Sequence, residues 1–178
     1  MQIRVDSTVI ETKPGDIAKQ ADLEAVVNAA NAQLQPGGGV AGALHRAAGP
    51  QLAAAGRNYA PIKPGEAVIT PAFKLPNEYV IHCLGPVYGR DKPAAGLLAD
   101  CYSRALEIAA ENNIGSLGVP ALSTGAFGYP MGEAAKIAVR TILSEVVPAV
   151  ELTVLRFVLY DRNARKIYDK VLKRAVEA

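Results

Sequence analysis

Short apolar runs alternate along this chain with longer segments in which apolar and polar residues are interleaved. The apolar runs predict one or two strands over 2–12 and further strands over 25–27, 67–70, 79–84, 116–119 and 152–160. The last run is nearly unbroken, which is typical of a strand covered on both sheet faces. The intervening segments predict a short helix from Ile17 and helices over 40–48, 94–112, 131–147 and 164–172.

This alternation predicts an α/β fold with three layers, α/β/α, around a largely parallel or mixed central sheet. The 178 residues, half of them hydrophobic, are expected to form one domain over 1–178 with a substantial buried core. Ligands of such sheets bind at the carboxyl ends of the strands. Glycine-rich loops at 37–39 and 123–128 both follow strands, so both are expected to border that edge.

The charge pattern narrows the choice of partner. The formal net charge is +2, and acids and bases are scattered without a lysine or arginine run. A nucleic-acid partner is therefore not expected, and an anionic ligand has to be held by local backbone amides. The start of the chain lacks the shape of a signal peptide, and no apolar stretch is long enough to span a bilayer. We expect a monomeric cytoplasmic protein that does not contact membranes.

The first glycine-rich segment combines features that suit a phosphorylated sugar. Asn28 and Asn31 end an apolar strand, Gly37–Gly39 follow, and a helix begins at once. Three glycines let the backbone approach a ligand closely, and the N–H groups of the helix start favour an anion. The two asparagines add neutral donors and acceptors for sugar hydroxyls. This combination predicts a sugar phosphate or nucleotide.

A second segment, Ser123–Gly128, also joins a strand to a helix through two glycines and two hydroxyls. It is either an ordinary connection or a second phosphate loop. Two such loops would enclose a diphosphate from opposite sides.

Other common chemistries lack their motifs. A Gly-Lys-Ser/Thr segment and a Gly-x-Gly-x-x-Gly after the first strand are both missing, which disfavours P-loop and Rossmann nucleotide sites. His82 is expected to be a satisfied core histidine, and His45 is expected to be structural. Cys83 and Cys101 lack metal-ligand spacing and are interpreted as buried small side chains. Neither a metal nor a cofactor is predicted.

Two residues at strand ends have two interpretations each. Asp16 follows an apolar strand, where it either caps the short helix or accepts a hydrogen bond from an exocyclic amine such as that of adenine. Tyr160, at the end of the last strand, either stacks on a base or packs at the rim of the sheet.

Together these motifs resemble the macrodomain family, which binds ADP-ribose. The resemblance covers the chain from about Pro14 to Tyr160. The matching segments are Gly15-Asp16-Ile17, Val26–Asn31, Gly37–Val40, His45–Gly49, Tyr79–His82 with Gly85-Pro86, and Pro120–Pro130. The resemblance implies a three-layer α/β/α macrodomain with a mixed central sheet.

The resemblance also implies roles for individual residues along an ADP-ribose molecule. Asp16 would accept from the adenine amine, the N–H of Ile17 would reach the ring edge, and Tyr160 would stack near the base. Asn31 would bond the distal ribose, with Asn28 supporting that loop. The diphosphate and distal ribose would lie between two sets of residues, Gly38, Gly39 and Val40 on one side and Ser123, Thr124, Gly125, Ala126 and Phe127 on the other. The candidate catalytic residues are Asn31, Gly125 and Phe127.

One position departs from the pattern. Macrodomain hydrolases of the MacroD type carry an aspartate directly after Gly-Gly-Gly-Val, where this chain has Ala41. A carboxylate there would help to activate water; without it, a substrate phosphate oxygen would orient the water, as is proposed for the family. The resemblance implies hydrolysis of the ester on the distal ribose of O-acetyl-ADP-ribose or of mono-ADP-ribosylated Asp or Glu side chains. The alternative is a non-catalytic ADP-ribose reader, and a weaker one is an RNA or poly(A) binder.

Overall fold

The computed structural model describes residues 1–146 and 151–178 as strands and helices that alternate along the chain. The strands are β1 Gln2–Val5, β2 Thr8–Pro14, β3 Ala25–Ala29, β4 Ala67–Pro71, β5 Tyr79–Cys83, β6 Ser116–Val119 and β7 Val154–Leu159. The helices are α1 Gly39–Ala48, α2 Gln51–Gly56, α3 Ala94–Glu111, α4 Met131–Val146 and α5 Arg162–Glu177, with a short 3-10 helix at Ile17–Lys19.

The strands form one mixed sheet in the order β1-β2-β7-β6-β3-β5-β4. The five inner strands run parallel to one another, and the edge strands β1 and β4 pair antiparallel with β2 and β5. The inner strands are apolar on both faces: in β3, Val26 and Val27 belong to hydrophobic clusters on opposite sides of the sheet. The predicted mixed sheet is thus confirmed.

Helices cover both faces of this sheet. Helices α3, α4 and α5 pack side by side and contribute to the larger hydrophobic cluster. Helices α1 and α2 and the 3-10 helix contribute to the opposite side. The arrangement is the predicted three-layer α/β/α fold. Across the residues with described structure, no helix is both long and apolar enough to cross a membrane.

The sequence pattern missed one helix. The helix predicted over 40–48 does end at Ala48, with Gly49 at φ +86°. Helix α2 nevertheless begins at Gln51. Pro50 has φ −65°, which suits the entry to a helix, and it has no N–H that would need a partner there. Val147, the predicted last residue of α4, lies outside the described residues.

The carboxyl ends of the five parallel strands open at the same edge of the sheet. Asp16 follows β2, the segment 30–38 follows β3, the segment 120–130 follows β6, and Tyr160 follows β7. The N–H of Gly15 donates to the carbonyl of Leu159 at 3.0 Å, which joins the ends of β2 and β7. The predicted site residues after these strands therefore share one edge.

Candidate functional site

The loop after β3 is closed by the side chain of Asn31. Its Nδ2 donates to the carbonyl of Gln35 at 2.8 Å, and its Oδ1 accepts from the N–H of Gln35 at 3.1 Å. The same Nδ2 lies close to Gly37. Asn31 thus shapes the loop that leads into the glycines, in addition to the sugar contact predicted for it.

Helix α1 begins directly after this loop with an uncapped end. Gly38 occupies the N-cap position and provides no side-chain hydrogen bond. The first N–H groups of a helix have no partner within the helix, and its dipole favours negative charge there. A Cβ at Gly38 would meet no atom within 4 Å, so the space in front of these N–H groups is open. Gly39 has φ +55°, which favours glycine. This end suits a phosphate.

The loop after β6 presents a second row of backbone donors. Within residues 1–146 and 151–178, the N–H groups of Gly125, Ala126 and Phe127 donate to no protein acceptor. The loop keeps its shape through a bond from the N–H of Tyr129 to the carbonyl of Ser123 at 2.9 Å and one from Thr124 Oγ1 to the carbonyl of Ala121 at 2.8 Å. The three free donors therefore sit on an ordered loop.

The two loops lie next to each other. Strands β3 and β6 are neighbours in the sheet, so their carboxyl ends are adjacent. Phe127 packs against a small apolar cluster that includes Ala30 and Leu34 of the first loop. The two rows of donors consequently border one region of the edge, as the sequence predicted for a diphosphate.

Asp16 and Ile17 lie at the other end of this region. Asp16 Oδ1 accepts from the N–H of Ala18 at 2.9 Å, so the predicted helix cap is present. The carboxylate has a second oxygen, so the cap leaves an acceptor for an amine. Ile17 is buried in the cluster that Val40 of α1 also contacts, which connects this end to the start of α1.

Tyr160 does not pack at the rim. Its side chain is 92% exposed, so the rim-packing interpretation is wrong. It follows the last residue of β7, beside the turn that leads to Asp16. An exposed ring at this place is available to stack on a base.

Asn28 lies beneath the edge. It is 1% exposed, and its Nδ2 donates to His82 Nδ1 at 3.0 Å. The other ring nitrogen, Nε2, lies 2.9 Å from Thr70 Oγ1, which donates to the carbonyl of Pro71. This placement makes Asn28 a support of the loop, not a surface contact, and it confirms His82 as a satisfied core histidine.

Burial keeps His82 and the nearby His45 uncharged at neutral pH. Desolvation, reinforced by the nearby His45, lowers the pKa of His82 to about 4. Burial also lowers the pKa of His45, whose ring nitrogens have no hydrogen-bond partner in the described part of the chain. With both rings uncharged at neutral pH, neither supplies positive charge to a phosphate.

Three residues that support the second loop escaped the sequence interpretation. Gly85 packs against the hydroxyl of Ser123, so a Cβ there would force that hydroxyl to move. The N–H of Tyr88 donates to the carbonyl of Phe127 at 2.9 Å. Tyr102 of α3 donates to the carbonyl of Pro120 and accepts from the N–H of Leu122, both at 3.2 Å. The Gly85-Pro86 pair after a strand was the only sequence signal for them.

The described residues contain no nucleophile paired with a base at this edge. Ser123 Oγ is buried without a partner, and His82 is occupied by Asn28 and Thr70. Cys83 and Cys101 are buried free thiols, as predicted. Among residues 1–146 and 151–178, no three His, Cys, Asp or Glu side chains gather in a way that would hold a metal ion. What the edge provides is backbone donors and shape.

Comparison with known proteins gives a consistent result. The sequence model of the Macro domain matches residues 27–138. The chain is 46% identical over 163 residues to a protein of Klebsiella pneumoniae named O-acetyl-ADP-ribose deacetylase, covering 89% of this chain and 93% of that protein.

Solved structures agree with the sequence comparison. The Oceanobacillus iheyensis macrodomain with ADP superimposes with a TM-score of 0.94 at 36% identity, covering 99% of this chain and 96% of that one. The Trypanosoma brucei macrodomain in complex with ADP-ribose gives 0.85 at 34% identity, covering 90% of this chain and 68% of that one. The chain described here belongs to the Macro domain family.

Proposed function

We propose that this macrodomain binds ADP-ribose along the carboxyl edge of its sheet and hydrolyses the ester of O-acetyl-ADP-ribose. The observation that carries the proposal is the pair of adjacent backbone donor rows, at the start of α1 and at Gly125–Phe127. The relatives named O-acetyl-ADP-ribose deacetylase and the macrodomain structures with ADP and ADP-ribose support it.

The ligand takes a single direction along the edge. Asp16 and Tyr160, at the ends of β2 and β7, receive the adenine. The diphosphate lies between the N-terminus of α1 and the free N–H groups of Gly125, Ala126 and Phe127. The distal ribose then reaches Asn31 and Phe127, whose loops meet at the Ala30–Leu34 cluster.

Hydrolysis at this place proceeds by direct attack of water. Water adds to the carbonyl carbon of the ester, the bond to the ribose oxygen breaks, and that oxygen takes up a proton, which releases ADP-ribose and acetate. Because the edge presents donors and not a nucleophile, its contribution is positioning and electrostatic stabilisation of the developing negative charge. The substrate diphosphate supplies the negative oxygen that orients the water.

The same chemistry extends to mono-ADP-ribosylated Asp and Glu side chains, which are also acyl esters of the distal ribose. Gly125 and Ala126 are exposed at the tip of the second loop. The distal end of the site is therefore open to a modified protein as well as to an acetyl group.

Ala41 favours a second candidate function, that of a reader that binds ADP-ribose without turnover. It lies in the first turn of α1, is 5% exposed and offers no acid or base. The deacetylase names of the relatives favour the enzyme over this alternative. A monomeric state, the absence of a nucleic-acid partner and a cytoplasmic location remain predictions.

Calorimetric titration with ADP-ribose and AMP tests the proposed binding site. We expect ADP-ribose to bind in the micromolar range or tighter, about −8 kcal/mol or better. AMP is expected to bind much more weakly because it lacks the second phosphate and the distal ribose that would contact the two rows of backbone donors. Equal affinities for the two ligands would contradict the proposed orientation.

A further inference from the structure

Gln20 connects the Asp16 turn to the interior of the protein. Its side chain is buried, and its Nε2 donates to the carbonyl oxygen of Asp16 at 2.9 Å. Its Oε1 accepts from Arg156 Nη1 at 2.8 Å. Both ends of the amide are therefore used, and the amide orientation is fixed because only the nitrogen can donate.

Arg156 anchors this contact to the sheet. It lies on β7 and is 5% exposed. Its Nε contacts Glu11 Oε1 at 3.0 Å, and its Nη1 and Nη2 contact the two carboxylate oxygens of Asp22 at 2.8 and 2.6 Å. Glu11 is its register partner on β2. A buried guanidinium needs such partners, and its planar fork holds them in a fixed geometry.

The carbonyl that Gln20 holds belongs to the residue that would recognise the base. The same carbonyl also accepts from the N–H of Lys19 at 3.0 Å, and the Asp16 carboxylate holds the N–H of Ala18. These contacts fix the peptide on one side and one carboxylate oxygen on the other. The Gln20 contact ties the main chain of this turn, from which the Asp16 side chain extends, to Arg156 in the sheet.

We infer that Gln20, held by Arg156, is a positioning residue that aims the Asp16 carboxylate at the exocyclic amine of adenine and so determines base selectivity. This inference rests on the proposed function. Hypoxanthine has a carbonyl in place of that amine, so it cannot donate to Asp16 from C6, and its N1 carries a hydrogen where adenine has an acceptor. A preference for adenine over hypoxanthine thus reports the base contacts at Asp16 and Ile17, whereas diphosphate and ribose contacts are common to both ligands, and an Asp16→Asn background isolates the share of the carboxylate.

The test compares the wild type, Gln20→Met and Gln20→Glu by calorimetry with ADP-ribose and with its hypoxanthine analogue, inosine diphosphate ribose. Gln20→Met preserves volume and removes both hydrogen bonds; Gln20→Glu keeps an acceptor for Arg156 and loses the donor to Asp16. We expect both variants to weaken ADP-ribose binding by roughly three- to tenfold and to leave the affinity for the hypoxanthine analogue unchanged. In an Asp16→Asn background, Gln20→Met is expected to cause no further change in the ratio of the affinities for ADP-ribose and its hypoxanthine analogue.

The outcomes separate the inference from the proposed function. If the wild type binds ADP-ribose and its adenine preference survives Gln20→Met, the positioning role is wrong while the proposed binding site stands. An equal loss for both ligands, accompanied by a lowered melting temperature, also overturns it, because a purely structural role would act on both. A wild type that binds neither ligand would overturn the proposed function together with this inference.

Discussion

The hydroxyl of Ser123 occupies the space that a Cβ atom on Gly85 would need. Ser123 has φ +66° and begins the loop that presents the free donors, while Gly85 follows β5. The second donor row is therefore in contact with the segment after β5, on the far side of β3 from the strand that leads into the loop. This contact makes the loop position sensitive to one methyl group on a residue that provides no predicted ligand contact.

Gly85→Ala is expected to displace the loop and to weaken ADP-ribose binding by roughly tenfold or more, because overpacking costs about 1–3 kcal/mol. Gly96→Ala in α3 is the matched control, since a Cβ there meets only an ordinary contact with Pro93. Calorimetry of both variants checks this. Unchanged affinity for Gly85→Ala would show that the loop adapts without loss.

Asp16 has two roles that a pair of variants separates. Asp16→Asn keeps an oxygen for the N–H of Ala18 but loses the charge, whereas Asp16→Ala loses the cap as well. We expect both to weaken ADP-ribose binding by about 1.5–3 kcal/mol, the value of a charge-assisted hydrogen bond, with only Asp16→Ala lowering the melting temperature. Normal binding by Asp16→Asn would leave Asp16 as a cap alone.

The three layers and the parallel or mixed character of the sheet followed from the sequence because strand and helix patterns differ in spacing. The order of the strands in the sheet did not, since pairing between distant segments leaves no local pattern. The place of the two glycine-rich loops at this edge was predictable because both follow predicted strands; their binding of a phosphate stays a prediction. In contrast, the contacts that hold these loops and the Asp16 turn in place were not predictable. Gln20 bonds Arg156, Gly85 packs on Ser123 and Tyr102 bonds Leu122, and no local pattern encodes such contacts between residues distant in sequence.

The dual role of Asn31 illustrates the same limit. Its type and place after a strand predicted a sugar contact, but the bonds to Gln35 depend on the loop conformation. Tyr160 shows the reverse: its position at a strand end was clear, and only the structure reveals that its ring is exposed.

Proton binding by His82 makes the free energy of unfolding depend on pH. Its pKa is about 4 in the folded protein against 6.5 ordinarily, so the unfolded chain binds more protons between these values. The stability contribution is complete above pH 6.5 and is lost as the pH falls towards 4, by roughly 3 kcal/mol. Burial shifts His45 in the same direction.

Denaturant unfolding at pH 7, 5.5 and 4 measures this loss. His82→Gln retains a donor and an acceptor and is expected to flatten the profile. An NMR titration of the His82 ring gives its pKa directly in the wild type. A ring that titrates near 6.5 would show that burial does not keep His82 neutral in the folded protein.

Ala41→Asp tests whether a missing acid limits turnover. The new carboxylate would lie in the first turn of α1, where the helix dipole stabilises it. We expect faster ADP-ribose release from modified glutamate, since a positioned general base contributes about 10²–10⁴-fold, together with weaker binding through repulsion of the diphosphate. Ala41→Asn controls for size. No acceleration in single-turnover assays would show that water oriented by the substrate phosphate suffices.

The open edge beside α1 is proposed to bind and hydrolyse an ADP-ribose ester. The most direct measurement is acetate release from O-acetyl-ADP-ribose by the wild type and by Gly38→Glu. A side chain at Gly38 enters open space with φ −87°, so the variant is expected to keep its melting temperature while its carboxylate repels the diphosphate. We expect release well above the buffer rate for the wild type and its loss in Gly38→Glu. Release at the buffer rate by the wild type, or undiminished release by the folded variant, would contradict it.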